Sequence, residues 1–210
     1  MTEELEAYIL AHIDSEDSLL AKLRRDTYVN QLRPRMVSGH LQGKILKMMC
    51  RMIQPQYVLE IGTFTGYSAI SMASGMNSGS ELHTFEINDE LEDFTRSYIE
   101  LSEHKEKIFF HIGDVLKTLP DMDILFDLVF IDADKRDYCK YYDCVFPKVK
   151  KGGLILADNT LWDGKVVQTV ANNDTQTKGI MEFNDMIKAD SRVEKVILPL
   201  RDGLTMILKL

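Results

Sequence analysis

At 210 residues the chain is long enough to bury one substantial core, and a hydrophobic share of 45% belongs to a globular protein rather than a disordered one. A formal net charge of −8 repels phosphate backbones and argues against general nucleic-acid binding. Cys50, Cys139 and Cys144 form no CxxC pair, the acidic first twenty residues lack a secretory n-region, and no run reaches the roughly 18 apolar residues of a membrane span, so a cytoplasmic protein without membrane contact is expected.

The first fifty residues read as helices. Leu5, Ile9 and Ile13, then Leu19, Leu20 and Leu23, recur at helical spacing, and Gly39 to Ile53 repeats the pattern with Leu41, Ile45, Leu46 and Met49. From Tyr57 short apolar runs alternate with amphipathic stretches. Strands are predicted at 57–61, 82–86, 107–112, 126–131 and 153–157, with helices at 66–74, 89–102 and 137–148. The chain ends in two strands, 193–198 and 204–210, joined by the turn Arg201-Asp202-Gly203.

Strand–helix alternation builds right-handed crossovers and therefore a mostly parallel sheet with helices on both faces. The predicted fold is α/β, a Rossmann-like sheet of about seven strands closed by a C-terminal antiparallel hairpin, the layout of class I methyltransferases. No repeat or linker marks a boundary, so one domain is expected, with helices 1–53 covering the site and an α/β core over 57–210.

In such a sheet, ligands bind beyond the carboxyl ends of the strands. The first strand runs into Glu60-Ile61-Gly62-Thr63-Phe64-Thr65-Gly66-Tyr67-Ser68, where Gly62 lets the backbone turn sharply and approach a ligand. This is not G-x-G-x-x-G, and an acid at Glu60 would repel a pyrophosphate but suit the cationic amino-acid end of S-adenosylmethionine, which argues against NAD-dependent chemistry. Glu86, ending the second strand, can accept from ribose hydroxyls, and Gly113-Asp114-Val115 follows the third toward the adenine edge. The fourth strand ends Asp132-Ala133-Asp134-Lys135 and the fifth Asp158-Asn159. If these strands are neighbours about 4.8 Å apart, Asp132, Asp158 and Asn159 converge as a hard oxygen set suited to Mg²⁺ or Mn²⁺, with Ca²⁺ as a further candidate.

The segments Phe130-Ile131-Asp132-Ala133-Asp134-Lys135 and Ala157-Asp158-Asn159-Thr160-Leu161-Trp162-Asp163-Gly164-Lys165-Val166 resemble those of the cation-dependent O-methyltransferases, the family of caffeoyl-CoA and catechol O-methyltransferases, in a bacterial-type form. The resemblance runs from about Ser38 to the C-terminus, through Asp202-Gly203-Leu204-Thr205. It implies an S-adenosylmethionine-dependent enzyme methylating one hydroxyl of a catechol-type vicinal diol, free or as a CoA thioester. By that resemblance Asp132, Asp158 and Asn159 hold the metal, with Lys135 as general base and Asp132 beside it. Ser38, Glu60, Gly62, Thr63, Phe64, Ser68, Glu86, Asp114, Val115 and Asp132 line the cofactor, Met36, Lys135 and Trp162 meet the acceptor, and a homodimer is expected. The first thirty-five residues match the plant branch poorly, which leaves the acceptor's identity open.

Methylation of a hydroxyuridine in tRNA and non-catalytic S-adenosylmethionine binding are the competing readings. From Lys22 to Arg51 eight basic residues face only one acid, Asp26. Either this stretch steers an acceptor with an anionic handle, or it pairs with the acids of the first helix, Glu3, Glu4, Glu6, Asp14, Glu16 and Asp17.

Overall fold

The computed structural model describes residues 2–210. Three N-terminal helices, α1 (Glu3–Ala11), α2 (Ser18–Asn30) and α3 (Gly39–Ile53), precede β1 (Tyr57–Ile61) and α4 (Tyr67–Ala73). Next come β2 (Glu81–Glu86), α5 (Glu92–Leu101), β3 (Ile108–Ile112) and α6 (Val115–Thr118). The chain closes with β4 (Phe126–Ile131), α7 (Tyr138–Val145), β5 (Val149–Asp158), α8 (Thr175–Ala189), β6 (Val193–Leu198) and β7 (Leu204–Lys209).

The seven strands form one sheet in the order β3-β2-β1-β4-β5-β7-β6. The pairs β2/β3, β1/β4 and β4/β5 are parallel, while β7 runs antiparallel to both β5 and β6. The mostly parallel sheet and its closing hairpin match the expected fold.

The chain packs as two units: the N-terminal residues through Gln56 with Thr63–Ile112, and Tyr57–Gly62 with Gly113–Leu210. In the first, α4 is buried over its whole length, and α2 and α3 bury Leu23, Leu46 and Cys50. Helix α1 buries none of its residues. In the second, Leu128, Val129, Phe130 and Ile131 are fully buried, the continuous apolar run of a strand covered on both faces. Tyr138 and Tyr142 of α7 meet Phe183 of α8 edge-on, with ring centroids 5.4 and 6.2 Å apart.

Four elements depart from the sequence reading, the first being the short helix α6, which Asp114 caps and no expectation covered. Strand β5 begins at Val149 rather than 153, because a register irregularity against β4 absorbs Gly152 and Gly153 within a longer strand. The helix expected over 137–148 is α7 flanked by tight 3-10 turns, Lys135–Asp137 and Phe146–Lys148, the latter holding Pro147. Helix α8 was not anticipated, although Ile180, Phe183 and Ile187 share one buried face and Asp174 caps its start by accepting from the Thr177 N–H.

Candidate functional site

In the second unit, backbone geometry brings the ends of three strands together. The ladder between β1 and β4 pairs Ile61 with Ile131, and the Asp132 N–H extends it by donating to the Ile61 carbonyl at 2.9 Å. Gly62 therefore lies against Asp132. Its φ is 99°, and a Cβ there would collide with the Asp132 main-chain carbonyl. Glu60, two residues earlier, is fully buried. On the other side of β4, Ile131 pairs with Ala157 of β5, so Asp132 and Asp158 are the next residues outward on neighbouring strands.

Lys135 occupies the tight turn after β4 and is only 6% exposed. Its Nζ donates to Asp132 Oδ1 at 2.8 Å and to the Tyr138 hydroxyl at 2.7 Å. That hydroxyl lies 2.9 Å from the Asp158 carbonyl and 3.2 Å from the Ile131 carbonyl, either of which can take its proton. Burial, with the carboxylates of Asp132 and Asp158 nearby, pushes the Tyr138 phenol well above its ordinary value.

Asp158 is 5% exposed, and its Oδ1 accepts the N–H of Asn159, which adopts a φ of 60°. The following loop is pinned to the turn of the β6–β7 hairpin. Thr160 N–H donates to the Gly203 carbonyl at 3.1 Å, and the Leu161 and Trp162 N–H groups donate to the Asp202 carbonyl at 2.8 and 3.1 Å. Trp162 is thereby set with Lys135 Nζ 5.9 Å from its ring centroid. Asp114 caps α6 by accepting the Leu116 N–H at 3.0 Å, and Val115 beside it is buried.

The first unit carries the remaining candidates. Glu86, at the end of β2, accepts the Phe64 N–H at 2.7 Å through one oxygen and the Asn88 N–H at 2.9 Å through the other. Burial raises its pKa, while the N–H groups of Asn88, Phe64 and Ile87 pull the other way. Thr63 Oγ1 lies 2.5 Å from Thr84 Oγ1, Ser68 is buried in α4, and Ser38 is buried at the start of α3. Met36 is exposed on the turn Pro34–Met36. Helix α2 grips the loop after Thr63: Thr27 Oγ1, whose proton goes to the Leu23 carbonyl, lies 3.1 Å from Thr65 Oγ1, and just ahead of the helix Glu16 accepts the Tyr67 hydroxyl at 2.7 Å.

The basic stretch is partly paired. Arg24 meets Glu16 at 2.7 Å, Lys44 meets Asp14 at 3.2 Å and Lys22 meets Asp26 at 2.9 Å. Among the described residues Arg33 and Arg35 make no ion pair, and both are exposed.

No group of three or more His, Cys, Asp or Glu residues among those described is arranged to hold a metal ion. The expected set has two carboxylates and an amide. Asp132 and Asp158, adjacent beyond paired strands, with Asn159 next in sequence, offer only hard oxygen donors, a chemistry that fits a hard divalent cation.

Sequence reasoning passed over three residues at this site: Tyr138, Gln176 and Gly179. The i, i+3, i+6 spacing of Asp132, Lys135 and Tyr138 was a local signal. Gln176, whose Oε1 accepts the Lys135 N–H at 3.1 Å, had none, because α8 had not been recognised.

The chain is similar to known proteins over almost all of its length. Residues 11–210 match the family model described as O-methyltransferase. A probable caffeoyl-CoA O-methyltransferase of Dictyostelium discoideum is 30% identical over 208 residues, covering 97% of this chain and 90% of its own. Caffeoyl-CoA O-methyltransferase 1 of Nicotiana tabacum is 34% identical over 185 residues, covering 81% of this chain and 76% of its own. The solved structure of an O-methyltransferase from Bacillus cereus in complex with SAH superimposes with a TM-score of 0.91 at 28% identity, covering 99% of this chain and 97% of that one.

Proposed function

We infer that this chain, which belongs to the O-methyltransferase family, moves a methyl group from S-adenosylmethionine to one hydroxyl of a catechol-type vicinal diol, with a divalent cation at the acceptor. The observation that carries this reading is the buried Lys135 Nζ held against Asp132 at the carboxyl end of β4, where an α/β sheet binds its ligands. The SAH-bound state of the Bacillus cereus relative supports the choice of cofactor.

Bound S-adenosylmethionine would supply an electrophilic methyl sulfonium, and Asp132, Asp158 and Asn159 would hold a hard divalent cation whose Lewis acidity would make an acceptor hydroxyl more acidic. The protein's own residues do the rest. Glu86 keeps acceptor capacity beyond the backbone N–H groups of Phe64, Asn88 and Ile87, room to receive a ribose hydroxyl. Gly62 lets the end of β1 pack directly against the Asp132 main chain, where a Cβ would not fit. Ser38, Glu60, Thr63, Phe64, Ser68, Asp114 and Val115 belong to the same cofactor assignment. Lys135, as a neutral amine, takes the hydroxyl proton at Nζ, and the same reading assigns Met36 and, separately, Trp162 to the acceptor. Homodimer formation is part of this reading, since Leu5, Tyr8 and Leu10 of α1 are apolar surface that a second copy would cover.

Calorimetric titration with S-adenosylhomocysteine, paired with turnover on caffeoyl-CoA and catechol, tests the assignment. Asp158→Ala and Asn159→Ala should lose turnover while keeping cofactor affinity near wild type, whereas Glu86→Ala should weaken cofactor binding first. Loss of cofactor binding in folded Asp158→Ala would mean that the two sites had been exchanged.

A further inference from the structure

We propose that Tyr138 is a positioning residue that aims the Lys135 amine, a role that rests on Lys135 acting as the base. A lysine tip rides on four flexible methylenes, so a reactive Nζ needs fixed partners to hold one geometry. Lys135 has two, the Asp132 carboxylate at 2.8 Å and the Tyr138 hydroxyl at 2.7 Å.

The fold dictates which way the second bond runs. A phenol has one proton, and the Tyr138 hydroxyl faces two main-chain carbonyls, Asp158 at 2.9 Å and Ile131 at 3.2 Å, which can only accept. Its proton is committed to them, so toward Lys135 the oxygen presents lone pairs and must accept. The ring cannot swing away. It is fully buried, with Phe183 edge-on at 5.4 Å and Tyr141 at 6.4 Å.

The other end of Lys135 is fixed as well. Gln176 of α8 accepts its backbone N–H at 3.1 Å, and Gly179 of the same helix packs so tightly that a Cβ would run into the Lys135 carbonyl. Backbone and amine are therefore both held, and the amine's remaining direction is left for the acceptor.

The test is a double-mutant cycle on Tyr138→Phe and Lys135→Ala, with S-adenosylmethionine and caffeoyl-CoA or catechol as probes. Tyr138→Phe keeps the ring and removes only the hydroxyl. It should lower kcat about 10- to 100-fold, the scale of one hydrogen bond to an ionisable group, with the KM for S-adenosylmethionine unchanged. In the Lys135→Ala background the same change should leave the residual rate alone. Equal losses in both backgrounds would overturn the proposal, because a merely structural hydroxyl acts whether or not the lysine is present.

Fluorescence offers a readout that needs no acceptor, since Trp162 is the only tryptophan and lies 5.9 Å from Nζ. Lys135→Met and Tyr138→Phe should move its emission in the same direction. A shift in Lys135→Met with none in Tyr138→Phe would mean that the amine stays in place without the phenol, and would overturn the proposal. Wild-type turnover in Lys135→Ala would instead sink the base assignment, and the fluorescence pair would still decide whether Tyr138 holds the amine.

Discussion

Lys135 Nζ and Asp132 Oδ1 lie 2.8 Å apart, joined across three residues where β4 gives way to a tight turn, with side chains only 7% and 21% exposed. The contact between them is therefore better shielded from water than one on the surface. The carboxylate that holds the amine is also the proposed cation ligand, so acid, base and cation would share one site.

Cation dependence follows from that arrangement. Dialysis against EDTA should abolish turnover and Mg²⁺ or Mn²⁺ should restore it, while S-adenosylhomocysteine still binds the stripped protein. Full activity in excess EDTA would refute the cation assignment.

Removing the base should affect rate more than binding. Lys135→Ala should lower kcat by about 10²–10⁴-fold, the usual scale of general-base loss. The concentration of Mg²⁺ needed for half-maximal activity should change far less, and a titration of the residual rate measures both.

Gly179 tests the scaffold. Alanine there pushes a Cβ into the Lys135 main chain, which cannot rotate aside as a side-chain tip could. The expected cost is about 1–3 kcal/mol of stability by urea unfolding, with a fall in kcat. Wild-type stability and turnover would mean that α8 does not set the position of Lys135.

Glu86 carries a pH signature. Its folded carboxyl binds a proton more tightly than the unfolded one, because burial outweighs the bonds from Asn88, Phe64 and Ile87. Between the two pKa values the native state holds more protons, so this group's contribution to stability falls as pH rises. Cofactor binding should run the opposite way, since the ionised carboxylate is the better acceptor for ribose hydroxyls. Affinity for S-adenosylhomocysteine should therefore weaken as pH is lowered from about 7.5 toward 5, and Glu86→Ala should flatten that dependence.

The basic stretch separates steering from pairing. Arg24 and Lys44 are already engaged with Glu16 and Asp14, so Arg33 and Arg35 are better placed to act on a ligand. If the acceptor is anionic, catalytic efficiency should fall steeply between low and physiological ionic strength, about 0.15 M. Arg33→Glu with Arg35→Glu should then raise KM with little change in kcat. Kinetics indifferent to both would leave these arginines as a solvated face.

The strands and the residues at their ends were legible because parallel strands are short apolar runs that stop at a glycine or an acid: Ile61 then Gly62, Phe85 then Glu86, Ile131 then Asp132, Ala157 then Asp158. The supporting contacts were not. The Asp202 and Gly203 carbonyls pin the loop carrying Trp162 from some forty residues away, and a main-chain carbonyl carries no sequence signature. Gly179 reads as a weak point in a helix until Lys135 is found packed against it. The start of β5 lay outside the reading because Lys150-Lys151-Gly152 looks like a turn, yet lies inside a strand with an irregular register.

The most direct test of methyl transfer at this site is a radiolabel assay. Wild type and Lys135→Ala would be incubated with S-adenosylmethionine labelled in its methyl group, Mg²⁺, and in turn catechol, caffeoyl-CoA and bulk tRNA. Wild type should place label on one hydroxyl oxygen of a vicinal diol, dependent on Mg²⁺ and nearly lost in Lys135→Ala. Label appearing only on tRNA, or on a diol at the same rate in both proteins, would contradict the account.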